Sequence, residues 1–324
     1  MKLNRKFALM ILVLLSLSAA PATAQNKLRA AYSSTSGIFT PVWIATEERL
    51  YQKHGIDADL VFIGGSAVAV SALIAGEIDF VYGGADPIIA GILAGADLTL
   101  GGFISNTTPI SLYVVPGYSK VEDLKGKNVA VTRLASSTAY MAKVCFAQFR
   151  LEPMKDIPLV PSGGYAESLA AMQAGRVQGA MLSPPSTYRA EALGYKRIWN
   201  GAGVEYPSFV LATRKTFIRD SGERAQRGFN AVAEGIQIFR TDKERGMRVM
   251  GKYTKVSDRT MLENSYADNK DVYSPFMRPT ASGVKPILDI LAASNPKAAA
   301  AKPEQFIDAT LSRRLEESGL LKKF

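Results

Sequence analysis

Beyond residue 26 the apolar positions fall in short blocks divided by Gly, Ser, Asp and Pro, and the period of each block predicts its element. Lys27–Tyr32 alternates and predicts a strand, with Ser33-Ser34-Thr35-Ser36-Gly37 as the loop after it. Ile38–Lys53 has apolar residues at helical spacing and stops before Gly55, a residue suited to the left-handed position beyond a helix. Asp59–Ile63 predicts a second strand, Ser66–Ala75 a helix and Phe80–Tyr82 a third strand. Asp86-Pro87 opens another helix, and Leu98–Ile104 is a fourth strand. This alternation predicts an α/β fold, with parallel sheets covered by helices on both faces.

The pattern repeats. Gly64-Gly65-Ser66-Ala67, Ala72 and Ala75-Gly76 lie over Gly163-Gly164-Tyr165-Ala166, Ala171 and Ala174-Gly175 at one constant offset. Each copy reads strand, Gly-Gly turn, helix, Gly cap, strand. The closing strands Ile78–Tyr82 and Gln178–Leu182 run on to Asp86-Pro87 and Ser183-Pro184. The duplication predicts two lobes that point these loops at a shared space. Ile110–Val115 and Ser208–Thr213 are the expected crossings, which puts residues 25–111 and 209–324 in lobe one and 112–208 in lobe two. After Thr213 the period is helical over Glu223–Arg240, Lys243–Tyr253, Ser257–Ser265 and Ser282–Ala293. An Ala-rich bridge, Pro296–Pro303, leads to a terminal amphipathic helix at Gln305–Leu321. Two lobes joined by two crossings are the geometry of a hinged ligand trap.

The first residues belong to a different class. Lys2, Arg5 and Lys6 precede an apolar run, Phe7–Leu17, and Ala22-Thr23-Ala24 offers a small-x-small cleavage site. This predicts a signal peptide over 1–24, too short in its apolar run to span a bilayer of about 20 residues, and hence an exported chain. No cysteine follows the cleavage site, so no lipid anchor is expected. The net charge of +10 includes three basic residues of that leader, and the remaining charges are dispersed. A nucleic-acid partner, which calls for a clustered basic stripe, is therefore not expected. One cysteine and one histidine exclude a disulfide framework and a Cys-rich metal site. The composition leans towards binding rather than catalysis, with no cofactor and a monomeric state.

Three segments then carry a family resemblance: Tyr51-Gln52-Lys53-His54-Gly55-Ile56-Asp57, Leu73-Ile74-Ala75-Gly76-Glu77-Ile78-Asp79-Phe80, and Val121-Glu122-Asp123-Leu124-Lys125-Gly126-Lys127-Asn128-Val129. Together they resemble periplasmic solute-binding proteins of the type II fold, in the nitrate, sulfonate, taurine and thiamine-precursor-like branch. The resemblance implies a two-lobe fold with two hinge crossings and a periplasmic location. It also implies delivery of a small solute to an ABC permease in the inner membrane without fixing that solute, which the candidate site residues suggest is an anion, zwitterion or heterocycle. Aliphatic-sulfonate receptors often carry a Trp-Asp-Pro type sequence where this chain has Leu182-Ser183-Pro184-Pro185, a departure that argues against a sulfonate. A periplasmic sensor is the alternative binding role. The enzymes of similar fold that make the thiamine pyrimidine use a histidine and clustered cysteines, which this chain lacks.

Ligands of open α/β sheets sit beyond the carboxyl ends of the strands. Four loops qualify. The first brings Ser34, Ser36, Gly37 and Phe39. The second is Ser136-Ser137-Thr138, at the start of a helix over Ala139–Phe149, where unpaired N–H groups and the helix dipole favour an anion and Arg133 adds a full charge. The third is Asp86, read either as an N-cap with Pro87 at N1 or as a carboxylate facing a ligand amine or ring N–H. The fourth is Ser183-Pro184-Pro185, with the same capping alternative. Ser66 and Tyr165 of the two Gly-Gly loops add a donor and an aromatic wall, and Asn106 near the crossing is placed in the cleft. Tyr32, Tyr82, Tyr140 and Tyr206 are read as core or wall, His54 as a surface helix cap and Cys145 as a buried thiol.

Overall fold

Each of two five-stranded sheets gathers its parallel strands first and then admits one strand from elsewhere in the chain. The structure, a computed structural model, describes residues 26–293 and 295–323. The leader predicted at 1–24 lies outside the described residues. The first sheet has the order β2-β1-β3-β10-β4, with β1 Lys27–Tyr32, β2 Asp57–Phe62, β3 Phe80–Gly83, β4 Thr99–Ser105 and β10 Phe209–Thr213. The second has the order β7-β6-β8-β5-β9, with β5 Ser111–Val114, β6 Val129–Val131, β7 Leu159–Pro161, β8 Gly179–Leu182 and β9 Lys196–Asn200. In the first, β1 pairs in parallel with β2 and β3, while β10 runs antiparallel to β3 and β4. In the second, β6 is parallel to β7 and β8, and β5 antiparallel to β8 and β9. The expectation of parallel sheets is thus corrected: both are mixed. A crossing strand arrives straight from the other sheet, without the helix that a parallel neighbour would need. The two sheets are topological copies, and the Gly-Gly units occupy the same place in each.

Burial follows that plan. β3, β5, β8 and β10 are buried along their whole length, as interior strands covered by helices should be, and so is the edge strand β4. One helix, Gly222–Thr241, packs across the first sheet with Phe229, Val232, Ala233 and Ile236 in its core. It lies so close to the helix Thr40–Glu47 that a Cβ at Gly235 would strike the carbonyl oxygen of Pro41 and come within 3.2 Å of its carbonyl carbon. Backbone cannot yield as a side-chain tip does. Gly235→Ala is expected to destabilise the fold by about 2 kcal/mol, the overpacking term exceeding the roughly 1 kcal/mol that helix propensity returns. A lower urea midpoint at unchanged slope is the measurement that checks it.

Three sequence expectations differ from the structure. Ile38–Lys53 is not one helix. A 3-10 turn at Gly37–Phe39 leads into Thr40–Glu47, and Arg49, in the left-handed region at φ 54°, breaks the chain before a turn at Leu50–Lys53. The break redirects Leu50 and Tyr51 into the core, where the Tyr51 and Tyr82 hydroxyls lie 3.2 Å apart. The terminal helix is also shorter, Thr310–Ser318. Upstream of it Ile307 bridges Leu100 and the Asp308 N–H donates to the Leu100 carbonyl, so an exposed edge of β4 captures backbone that the apolar period assigned to a helix. His54, lastly, holds the C-cap position of the turn Leu50–Lys53 as expected, but its side chain is largely buried rather than on the surface. Its Nε2 lies 3.1 Å from Glu234 Oε1, and Lys53 Nζ lies 2.5 Å from Oε2 of the same buried carboxylate. Cys145 is a buried free thiol, as its apolar neighbours predict. Among the described residues, no helix is long and apolar enough to cross a membrane.

Candidate functional site

Strand ends and helix starts of both sheets converge on one cavity of about 410 Å³. Its walls come from the loops after β1, β2 and β3 on one side and after β6, β7 and β8 on the other, with Thr108–Ile110 and Ser208 of the two crossings between them. The position is the one the carboxyl-end rule predicts. Eight serines and four threonines stand among its twenty-six lining residues, and Arg133 and Glu167 are the charged ones. The wall is therefore rich in neutral hydroxyl groups.

Those hydroxyls are tied together locally. Ser33 Oγ lies 2.9 Å from Ser66 Oγ, which accepts the Gly84 N–H at 3.2 Å. Ser36 Oγ lies 2.7 Å from Ser183 Oγ, and the Gly37 N–H donates to the Pro184 carbonyl at 3.0 Å, joining the two sheets directly. Thr138 Oγ1 accepts the Thr132 N–H at 2.8 Å. Ser136 stands at the cap position of the helix Ser137–Gln148, but its Oγ donates to the Arg133 carbonyl at 2.6 Å and makes no side-chain cap. The loop is held by its own side chains, and the first N–H groups of the helix stay available. The helices Ser66–Ile74 and Tyr165–Gln173 begin on the same cavity, so three helix starts face it. The Tyr165 hydroxyl is set against Ser34 and Ser183, and burial raises its pKa above the ordinary phenol value.

Arg133 crosses the mouth. Its Nε donates to the Gly64 carbonyl at 2.8 Å, and a Cβ at Gly65 would lie 2.5 Å from its Cδ. Gly65 also has φ +90°, so this residue serves both the turn and the close approach. Phe62, about half exposed, stands at the same rim, and Ile38 and Phe39 give the cavity an apolar side.

Asp86 is placed differently from either sequence reading. Gly84 holds the cap position of the helix Ala85–Leu93, and Asp86 lies inside its first turn, half-buried and off the cavity wall. Its Oδ1 accepts from the Tyr206 hydroxyl and from Ser137 Oγ, the latter at 3.3 Å. Burial raises the carboxyl pKa, opposed by the Tyr206 bond, its own backbone N–H, the Ser137 bond and the charge of Lys143. The positive start of the helix Ser137–Gln148 thus already has a carboxylate beside it, brought by the other sheet. Tyr206 stacks on Tyr140, ring centres 4.7 Å apart, so both are core rather than wall.

Of the sequence candidates, Ser34, Ser36, Phe39, Ser66, Arg133, Ser136, Ser137, Thr138, Tyr165 and Ser183 line the cavity. Gly37, Asp86, Asn106 and Pro184 do not. Asn106 buries an Oδ1 without a partner and gives its carbonyl to the Tyr206 N–H at 2.8 Å. Ser183 caps no helix, because Ser186–Ala192 starts after Pro185. Sequence reasoning missed Thr108, Thr132, Glu167 and Ser208. The duplication held the signal for Thr132, which follows β6 as Ser33 follows β1. Among the described residues, no three His, Cys, Asp or Glu side chains cluster as a metal site would require.

Residues 22–251 match the model of the NMT1-like family. A provisionally named binding protein of Brucella abortus (strain 2308) is 26% identical over 241 residues, which is 71% of this chain and 72% of that protein. The solved alkanesulfonate-binding protein SsuA of Xanthomonas axonopodis pv. citri, bound to MOPS, superposes with TM-score 0.72 at 19% identity, covering 86% of this chain and 95% of its own. The periplasmic nitrate-binding protein NrtA of Synechocystis PCC 6803 superposes with TM-score 0.76 at 15% identity, covering 90% and 89%. At these identities the likeness establishes the periplasmic binding protein fold.

Proposed function

The chain belongs to the NMT1-like family, and from that premise we propose that it is a periplasmic receptor that closes on a small organic anion or zwitterion and hands it to an ABC permease. Residues 25–111 with 209–324 form one lobe in this reading and 112–208 the other. One observation carries it: three helix starts, drawn from both sheets, face a single hydroxyl-lined cavity that direct bonds already span. Helix starts and neutral hydroxyls donate to anionic oxygens without themselves carrying net charge. Ligand contacts made to both lobes favour the closed state, because only there are they all present. The volume is that of an organic ligand, far larger than a bare inorganic ion needs. Ile38, Phe39 and Phe62 give the apolar part of such a molecule a place, with its charged end at the helix starts.

A thermal-shift panel of nitrate, taurine, longer sulfonates, carboxylates and pyrimidines tests the reading. One organic acid is expected to raise the melting temperature by mass action, and nitrate to leave it unchanged. Ser137→Ala combined with Thr138→Ala is expected to weaken that ligand about tenfold through the lost donors, read by calorimetry. A panel without a single shift, joined to scattering curves that never contract, would overturn the receptor reading.

A further inference from the structure

We infer that Arg133 is a latch residue: it fastens the two halves across the mouth of the cavity and gives its bond to the protein, not to a guest. The inference rests on the receptor reading for its purpose and deepens it, since it concerns how that same site is kept shut.

Arg133 belongs to the loop after β6 of the second sheet, and Gly64-Gly65 to the turn after β2 of the first. The bond from its Nε to the Gly64 carbonyl, at 2.8 Å, therefore runs from one half to the other. It is charge-assisted, and a guanidinium keeps its charge throughout the pH range in which a protein folds. The stem is fitted as well as the head. A Cβ at Gly65 would lie 2.5 Å from Arg133 Cδ and 2.6 Å from Nε, and one at Gly64 would lie 3.8 Å from Nη2. The side chain rests against the Gly-Gly turn, which has room for it because Gly65 carries no side chain.

The duplication supplies an internal control. The offset that lays Gly64-Gly65 over Gly163-Gly164 also lays Ser34 over Arg133. Among the described residues, a Cβ at Gly163 would meet nothing within 4 Å, and the atoms nearest one at Gly164 belong to Glu167 of the helix that follows. Ser34 meets the Tyr165 hydroxyl instead and leaves those glycines uncovered. Turn geometry accounts for a Gly-Gly pair in both copies. A side chain from the opposite half seated on the pair is found in the first alone, so the seat at Gly65 is more than turn chemistry.

A bond present only when the halves meet favours the closed arrangement whatever the guest. One such hydrogen bond is worth about a fivefold change in the closed-to-open ratio. The latch thus populates the closed form before a guest arrives and slows the release of whichever one is held.

Spin labels on Ser71→Cys and Ala170→Cys, exposed positions on the helices Ser66–Ile74 and Tyr165–Gln173, report the separation of the halves by double electron–electron resonance. The buried Cys145 stays unlabelled. In the ligand-free chain a closed population is expected, and Arg133→Met, which keeps a stem and loses the donor, is expected to cut the closed-to-open ratio about fivefold. Gly65→Ala is expected to cut it at least as far while Arg133 is present. In the Arg133→Ala background it adds nothing, because no Cδ is left to strike. The strain of alanine at φ +90° lowers the melting temperature alike in both backgrounds and so does not imitate this coupling. Should Gly65→Ala fail to fold, Arg133→Met decides alone. A ratio indifferent to Arg133→Met, an equal effect of Gly65→Ala in both backgrounds, or a ligand-free chain that is wholly open would overturn the proposal. The measurement uses no ligand, so its failure leaves the receptor reading standing, and a ligand panel without a shift leaves the measured distances as they are.

Discussion

Gly84→Ala is expected to weaken the cleft ligand about a hundredfold while scarcely changing the urea midpoint of the unliganded chain. A Cβ at position 84 would land on Ser137 Oγ, 2.6 Å from the Tyr206 hydroxyl and 3.0 Å from Asp86 Oδ1. The backbone there, at φ −78° and ψ 153°, suits alanine, so no strain arises within the chain itself. The collision is one of position. Gly84 follows β3 of the first sheet and Ser137 opens a helix beside the second, so the added methyl acts at the seam between halves. Overpacking of this kind costs about 1–3 kcal/mol, and here nearly all of it falls on the closed arrangement. At the upper end that penalty divides the closed population, and with it the apparent affinity, by about 100. Calorimetry and small-angle scattering decide the matter together. Unchanged affinity, with the usual contraction on ligand, would mean that the halves do not meet at Gly84 when the ligand is held.

The parts of this site that the sequence makes legible are those built by local chemistry. Gly-Gly turns, Ser-rich loops and helix starts announce themselves through backbone preference, and the duplication shows that two such sets exist. Ser66, Ser136–Thr138 and Tyr165 follow from that alone. What stays hidden depends on contacts across the chain. Asp86-Pro87 has the local form of a cap, and nothing within ten residues reveals that Tyr206 and Ser137 will bury its carboxylate. Likewise the break at Arg49 and the captured Ile307 arise because burial of Tyr51, or a free edge of β4, outweighs a helical period that is otherwise sound. The antiparallel entry of β5 and β10 is a fact of topology, which no period encodes. Gly37 and Pro184 were reachable as loop residues, but their role in bonding each other across the cleft was not.

Replacing Asp86 separates its hydrogen bonds from its charge. Asp86→Ala takes the carboxylate acceptor from the buried Tyr206 hydroxyl, leaving it only Ser137, and opens space beside Tyr140, a loss of about 3 kcal/mol at the acid end of the range. Asp86→Asn keeps an oxygen for Tyr206 and Ser137 and removes the charge. The sign with pH follows from burial, which raises the carboxyl above its ordinary value in the folded chain. Between the ordinary value and the raised one, the folded state holds a proton that the unfolded state has lost, so stability falls as pH rises through that interval. Above it, the folded chain carries a desolvated carboxylate that the bonds from Tyr206 and Ser137 only partly offset. The Asn variant is therefore expected to flatten the pH dependence of the melting temperature and to match or exceed the wild type at alkaline pH. The Ala variant should lose least where the wild-type carboxylate is ionised. Melting curves across pH for the three proteins test both signs at once, and an Asn variant that destabilises more at high pH than at low would show that the negative charge itself, set against the start of the helix Ser137–Gln148, is what holds the seam.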